Sequence, residues 1–191
     1  MTKNSTPIPW GTLGPWLALA AACLFFATQS DRFLTGDNLS LVLQQVMVVG
    51  LLAIGQTLII LTAGIDLSCG MVMALGSMVI TKLAVENGVH PALAVSAGIA
   101  VTASFGMLNG LLVTRAKLPS FIVTLGTMNI AFAVTQLYSQ SQTVTNLPES
   151  LTFIGNTFAV GGTQISYGTL LMVGIYILVW RALNDTAPGR H

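Results

Sequence analysis

Charge is what this 191-residue chain has least of. Lys and Arg number 7 and Asp and Glu 6, together 7% of the residues, where a soluble domain carries about 25%. So few charges cannot cover a water-facing surface, which excludes an ordinary soluble domain. Disorder needs low hydrophobicity and high charge, and 53% of these residues are hydrophobic, with a mean hydropathy of +0.80. A net charge of +1 supplies no clustered basic face for nucleic acid. Histidine and cysteine are scarce too, at two each. His90 and His191 have no partner in sequence, and Cys23 and Cys69 lack metal-ligand spacing. Both cysteines fall in apolar runs and read as small core residues. The lysines Lys3, Lys82 and Lys117 follow Thr, Thr and Ala, whereas a phosphate-cradling Walker A loop needs Gly before its Lys. HExxH and GxSxG are missing as well. The chain is therefore expected to be no enzyme, with no metal and no cofactor.

What is there is long apolar runs. Residues Asn38–Ile65, Asn87–Thr114, Leu118–Pro148 and Ser150–Trp180 carry no Lys, Arg, Asp or Glu. A bilayer core of roughly 30 Å takes about 20 residues of helix, so each gap holds a span. The ten-residue alternation of a membrane barrel is absent. The expected fold is an all-α, polytopic transmembrane bundle of about six spans: Gly14–Ser30, Leu39–Thr62, Leu67–Val85, Pro91–Val113, Pro119–Ser139 and Tyr167–Leu183. The first could instead be a cleaved signal peptide, but no small-x-small site follows it cleanly, and a retained span is the reading adopted. Six spans put both ends on one side. That side holds Lys3, Arg115, Lys117, Arg181 and Arg190, against Arg32 and Lys82 on the other. The positive-inside rule makes the richer side, with the N-terminus, cytoplasmic.

Several polar and small residues interrupt the apolar runs. Ala94, Gly98, Thr102, Gly106 and Gly110 stand four apart in the fourth span, a spacing that lets two helix backbones approach closely. A flexible, gate-forming helix is the alternative. Asp66 is the only acid between Asp37 and Glu86. Gly64 is expected to end one helix and Asp66 to cap the next. A functional acid is the sharper reading, because ionisable groups at membrane depth are costly and often mark a pathway. The amides Gln44, Gln45, Gln56, Asn109, Asn129 and Gln136 lie in apolar runs and are expected to bond mostly across helices. A minority could line a path for a hydroxylated solute. Residues 141–166 are polar and expected to be an extracytoplasmic loop. Within them Gly161-Gly162 sits between Thr157–Val160 and Thr163–Ser166, which predicts a β-hairpin.

Three blocks carry a resemblance. They are GQTLIILTAGIDLS at 55–68, NGLLV at 109–113 followed by LPSFIVTLGTM at 118–128, and DTAPGRH at 185–191. In this order they resemble the ribose/xylose/arabinose/fructose-type permeases, the membrane subunits of bacterial ABC sugar importers. The resemblance implies a permease domain over residues 1–191 in the bacterial inner membrane. It implies alternating access that moves a monosaccharide, driven by a separate ABC ATPase subunit. The implied partners are that ATPase, a periplasmic sugar-binding protein and a second permease copy. In that picture Gln56, Asp66, Asn109 and Asn129 are substrate-path candidates, and Gly64, Gly98, Gly106 and Gly110 serve helix breaks and packing. Such permeases have roughly ten spans, so the chain is expected to match an N-terminal part of one and to be incomplete. The alternatives are an inactive truncated remnant and an ion-coupled secondary transporter, for which only Asp66 offers an intramembrane carboxylate.

Overall fold

A computed structural model of the chain describes residues 10–185 apart from residue 162. Lys3, Arg190, Gly162 and most of the last resemblance block, residues 186–191, lie outside the described residues. The helices are α1 (Trp10–Gln29), α2 (Gly36–Leu61), α3 (Cys69–Val85), α4 (Pro91–Thr114) and α5 (Ser120–Ser139). A one-turn helix α6 (Glu149–Thr152) and a 3-10 turn lead to β1 (Thr157–Val160), β2 (Thr163–Ser166) and α7 (Tyr167–Asp185). Each expected span is a helix within a few residues of its expected limits. Among the described residues α2, α4, α5 and α7 are long and apolar enough to cross a membrane; α3 and the Leu13–Gln29 part of α1 are apolar but shorter. The fold is a polytopic helical bundle carrying one small antiparallel hairpin.

Local chemistry sets the boundaries. The Thr35 hydroxyl accepts from the Asn38 amide at 3.4 Å and caps α2. Pro91 occupies the first turn of α4, where its missing N–H costs nothing. Pro119 precedes α5, which ends on Gln140 in the left-handed region at φ 53°. Thr157 pairs with Ser166 and Val160 with Thr163, and Gly161 turns the hairpin at φ 56°.

Helix α3 is the hub. It packs against α4 and α5, which also touch each other, while α2 packs against α7 and β2. Val72, Leu75 and Ala131 form a small core ringed by Met71, Val79, Val101 and Phe105. Gly98 and Thr102 of the stripe meet α3: a Cβ on Gly98 would lie 2.9 Å from the Gly76 carbonyl oxygen. The stripe's other end behaves differently. Nothing approaches the open positions of Gly106 and Gly110. A spacing of four overruns the 3.6-residue turn, so the stripe winds off the α3 contact.

Contacts along the helices fix their directions. Met47 and Gly50 of α2 meet Gly168 and Met172 of α7 in the same order, so α2 and α7 run parallel. Leu67 and Lys82 meet Thr124 and Tyr138 of α5 in the same order. The Arg115–Lys117 connection, Arg181 and the α2–α3 connection therefore share one end of the bundle. Lys82 lies at the opposite end. There its Nζ donates to the Tyr138 carbonyl at 2.9 Å and pairs with Glu86 at 3.1 Å. Exposed apolar side chains such as Leu137 (80%) and Leu178 (68%) cover the outward faces, a surface suited to lipid rather than water.

Candidate functional site

Helix α3 has 17 residues, about 26 Å of helix, which is shorter than a hydrocarbon core of roughly 30 Å. An irregular connection from Thr62 to Ser68 leads into this helix. Such backbone tolerates membrane depth only where protein or water satisfies its polar groups, and here side chains do so. The Ile65 amide donates to the Ser120 hydroxyl at 3.1 Å, and the Leu67 amide to the Thr124 hydroxyl at 3.2 Å. That hydroxyl lies 2.8 Å from the Ser120 carbonyl and 3.2 Å from the Ile65 carbonyl. From α2, the Gln56 amide donates to the Asp66 carbonyl at 2.6 Å and reaches Cys69 Sγ at 2.9 Å.

The Asp66 carboxylate turns inward on the next residues. Its Oδ1 accepts from the Ser68 amide at 2.6 Å and the Ser68 hydroxyl at 2.7 Å. Ser68 is buried, at 1% exposure, and its hydroxyl in turn accepts from Asn109 Nδ2 of α4 at 3.0 Å. A directed relay results, from Asn109 through Ser68 to Asp66. The expected roles of Gly64 and Asp66 shift by one or two residues. Ala63, not Gly64, takes the left-handed conformation after α2, at φ 56°. Ser68 holds the N-cap place of α3, while Asp66 forms the side-chain turn before it.

Two clefts meet at this relay. One, of about 340 Å³, is lined by Asp66, Ser68, Cys69, Thr102, Gly106 and Asn109 together with the apolar Val72 and Met73. The other, of about 270 Å³, is lined among others by Gly64, Asp66, Gly106, Asn109, Gly110 and Thr124. Asp66, Gly106 and Asn109 belong to both. The glycines leave room because they have no side chain to fill it. Gln56, Asp66 and Asn109 are thus brought together, and Gln56 and Asn109 bond across helices.

Asn129 is not part of this group. It is exposed, and its Nδ2 donates to the Leu125 carbonyl of its own helix at 2.8 Å. Gln44 likewise bonds within its own helix, to Ser40 at 3.1 Å. A backbone carbonyl four residues back is always in reach in a helix, so an amide needs a facing polar partner to bond elsewhere. Neither cysteine is a core residue: Cys23 is exposed and Cys69 is a half-buried cleft wall. Ser120 and Thr124 complete the site from α5, and the amide, acid and glycine pattern of the sequence does not mark them. Their signal was two hydroxyls four apart, directly after Leu118-Pro119.

A family model described as "Branched-chain amino acid transport system / permease component" matches residues 38–191. The chain belongs to this permease family. The permease is similar to the fructose import permease of Rhizobium meliloti, 40% identical over 183 residues. That match takes in 93% of this chain and 51% of the relative. The ribose import permease of Bacillus subtilis is 36% identical over 181 residues, covering 94% of this chain and 55% of the relative. The D-allose transport system permease of Escherichia coli is 34% identical over 184 residues, covering 95% and 55%. The permease spans about half the length of these curated relatives. No solved structure matches it.

Proposed function

We propose that the chain forms part of the membrane translocation unit of an ATP-binding-cassette importer that brings a monosaccharide across the bacterial inner membrane. The observation that carries this reading is similarity to fructose, ribose and allose permeases over more than nine-tenths of the chain. A polar, side-chain-satisfied helix break beside two clefts fits it, because irregular backbone at membrane depth is tolerated only where protein buries it or it lines a water-filled cavity. ATP is hydrolysed in a separate ATPase subunit, a periplasmic binding protein delivers the sugar, and a second permease copy completes the pore. ATP binding in the partner shifts the population between two arrangements of the bundle. Residues 1–191 then form one permease domain. Its N-terminus and its Arg115–Lys117 end face the cytoplasm, and residues 141–166 face outward. The Asp66 region lies toward the cytoplasmic end of the path, with Asn109 in its wall and Gln56 bracing the connection from α2.

The test is to co-express the full chain with an ATPase subunit and a sugar-binding protein of a ribose/fructose-type importer from the same organism, capture the chain from membranes, and measure ATP turnover. Co-purification, with turnover raised by sugar-loaded binding protein, supports the importer. Uptake that collapses with a protonophore at constant ATP would replace it with an ion-coupled transporter.

A further inference from the structure

Asn109 carries a buried oxygen with no hydrogen-bond partner. The residue is 8% exposed, and its Oδ1 is the one buried, unpaired side-chain polar atom among the described residues. The direction of the relay explains why it is left over. The Ser68 hydroxyl has one proton, and the Asp66 carboxylate takes it at 2.7 Å. Toward Asn109 that hydroxyl can therefore only accept, so the amide must present Nδ2 to it. Rotating the amide would set two acceptors against each other. Asp66 thus acts through Ser68 to fix the Asn109 amide with Oδ1 as the unpaired acceptor, on a residue that lines both clefts. A buried acceptor without a donor destabilises the arrangement that contains it. Gly106, with open space at its missing side chain, lines both clefts beside it.

We propose that Asn109 Oδ1 is a substrate contact that accepts a hydrogen bond from a hydroxyl of the transported ligand as the clefts join, with Asp66 as its positioning residue. This deepens the sugar-importer reading and rests on it. The ligand class is a polyhydroxylated one, because the free group is an acceptor and a sugar hydroxyl is a neutral donor that can reach it. The side chain of a branched-chain amino acid has no donor to offer this acceptor. Its ammonium could donate, but a free amino acid would also set its carboxylate against the Asp66 carboxylate. Donation of that hydroxyl proton satisfies Oδ1 only in the joined state, so ligand and opening favour each other.

Cys69 lines the same cleft and reports on it. Alkylation of Cys69 is followed by mass spectrometry in membranes holding the full chain, with Cys23 on α1 as the internal reference. The probes are D-ribose, D-fructose and L-leucine at millimolar concentrations. The expected result is that at least one sugar slows Cys69 alkylation severalfold while Cys23 is unaffected and leucine protects less. Asn109→Leu is expected to lose that protection, and Asn129→Leu to keep it. Asp66→Asn is expected to weaken it, and Asp66→Glu to restore part of it, which a purely structural role would not do. Equal protection in Asn109→Leu overturns the proposal, as does equal protection by leucine or none by either sugar. Unchanged Cys23 alkylation and an unchanged melting temperature exclude misfolding of a variant as the cause. If Asn109→Leu no longer reaches the membrane, Asn109→Ser, a shorter acceptor, must show intermediate protection or the proposal fails. Loss of ATPase capture with sugar protection intact would instead remove the importer reading and leave the site.

Discussion

The Gln56 side-chain amide donates to the Asp66 backbone carbonyl at 2.6 Å, tying the last turns of α2 to the connection that follows them. Without it, a carbonyl inside the bundle would lose its donor. Gln56→Leu keeps the volume but removes both bonds. A lost bond to a buried group costs about 1–3 kcal/mol. The variant is expected to melt several degrees lower in detergent and to expose Cys69 to faster alkylation, with Cys23 unchanged.

Thr124→Val is the matching change from the α5 side. It strips the Leu67 amide of its acceptor at 3.2 Å and is isosteric, so packing is kept. A loss of about 1–3 kcal/mol is expected, with protease cleavage appearing between Gly64 and Ser68. Thr124→Ser should retain most of the stability, because the hydroxyl stays. Equal loss in both variants would show that the methyl, not the hydroxyl, matters.

Gly98 and Gly110 belong to one four-residue stripe but differ in what they meet. A Cβ at Gly98 runs into the Gly76 carbonyl and Ile80, while Gly110 has open space. Gly98→Ala is expected to destabilise by about 1–3 kcal/mol. Gly110→Ala, which has the better helix propensity, is expected to leave the melting temperature unchanged or raise it.

Ser166 is fully buried, and its hydroxyl accepts from the Thr169 amide at 3.2 Å at the start of α7. Ser166→Ala should cost about 0.5–2 kcal/mol, as lost caps do. Ser166→Asp keeps the acceptor but brings a charge beside Met47, and is expected to be worse than alanine. Thermal unfolding of the three proteins orders them.

The two ends of the bundle can be told apart by labelling. Ala116→Cys, in the Arg115–Lys117 connection, is expected to react with an impermeant thiol reagent only in opened cells or inverted vesicles. Gln142→Cys is expected to react in intact spheroplasts. The opposite pattern would reverse the orientation.

The spans were legible because a long run without charge has few options other than a membrane helix. The hairpin was legible because Gly161-Gly162 between two alternating segments leaves one cheap turn. The pairing of Asp66 with Ser68 is local, and its cap-like character follows from a short acidic side chain before a helix. Asn109 and Ser68 stand 41 residues apart, and only the antiparallel packing of α3 on α4 puts them in contact. The same packing decided which glycines of one regular stripe are filled and which are open, because 3.6 residues per turn carries a four-residue repeat off the contact line. Gln56 and Asn129 look alike in sequence, as amides in apolar runs, yet one faces an irregular backbone with free carbonyls and the other faces outward. Hydropathy and turn chemistry act over a few residues and are written in the sequence. Which polar groups meet, and which acceptor is left without a donor, depends on helix rotation and crossing, and only the tertiary structure decides those.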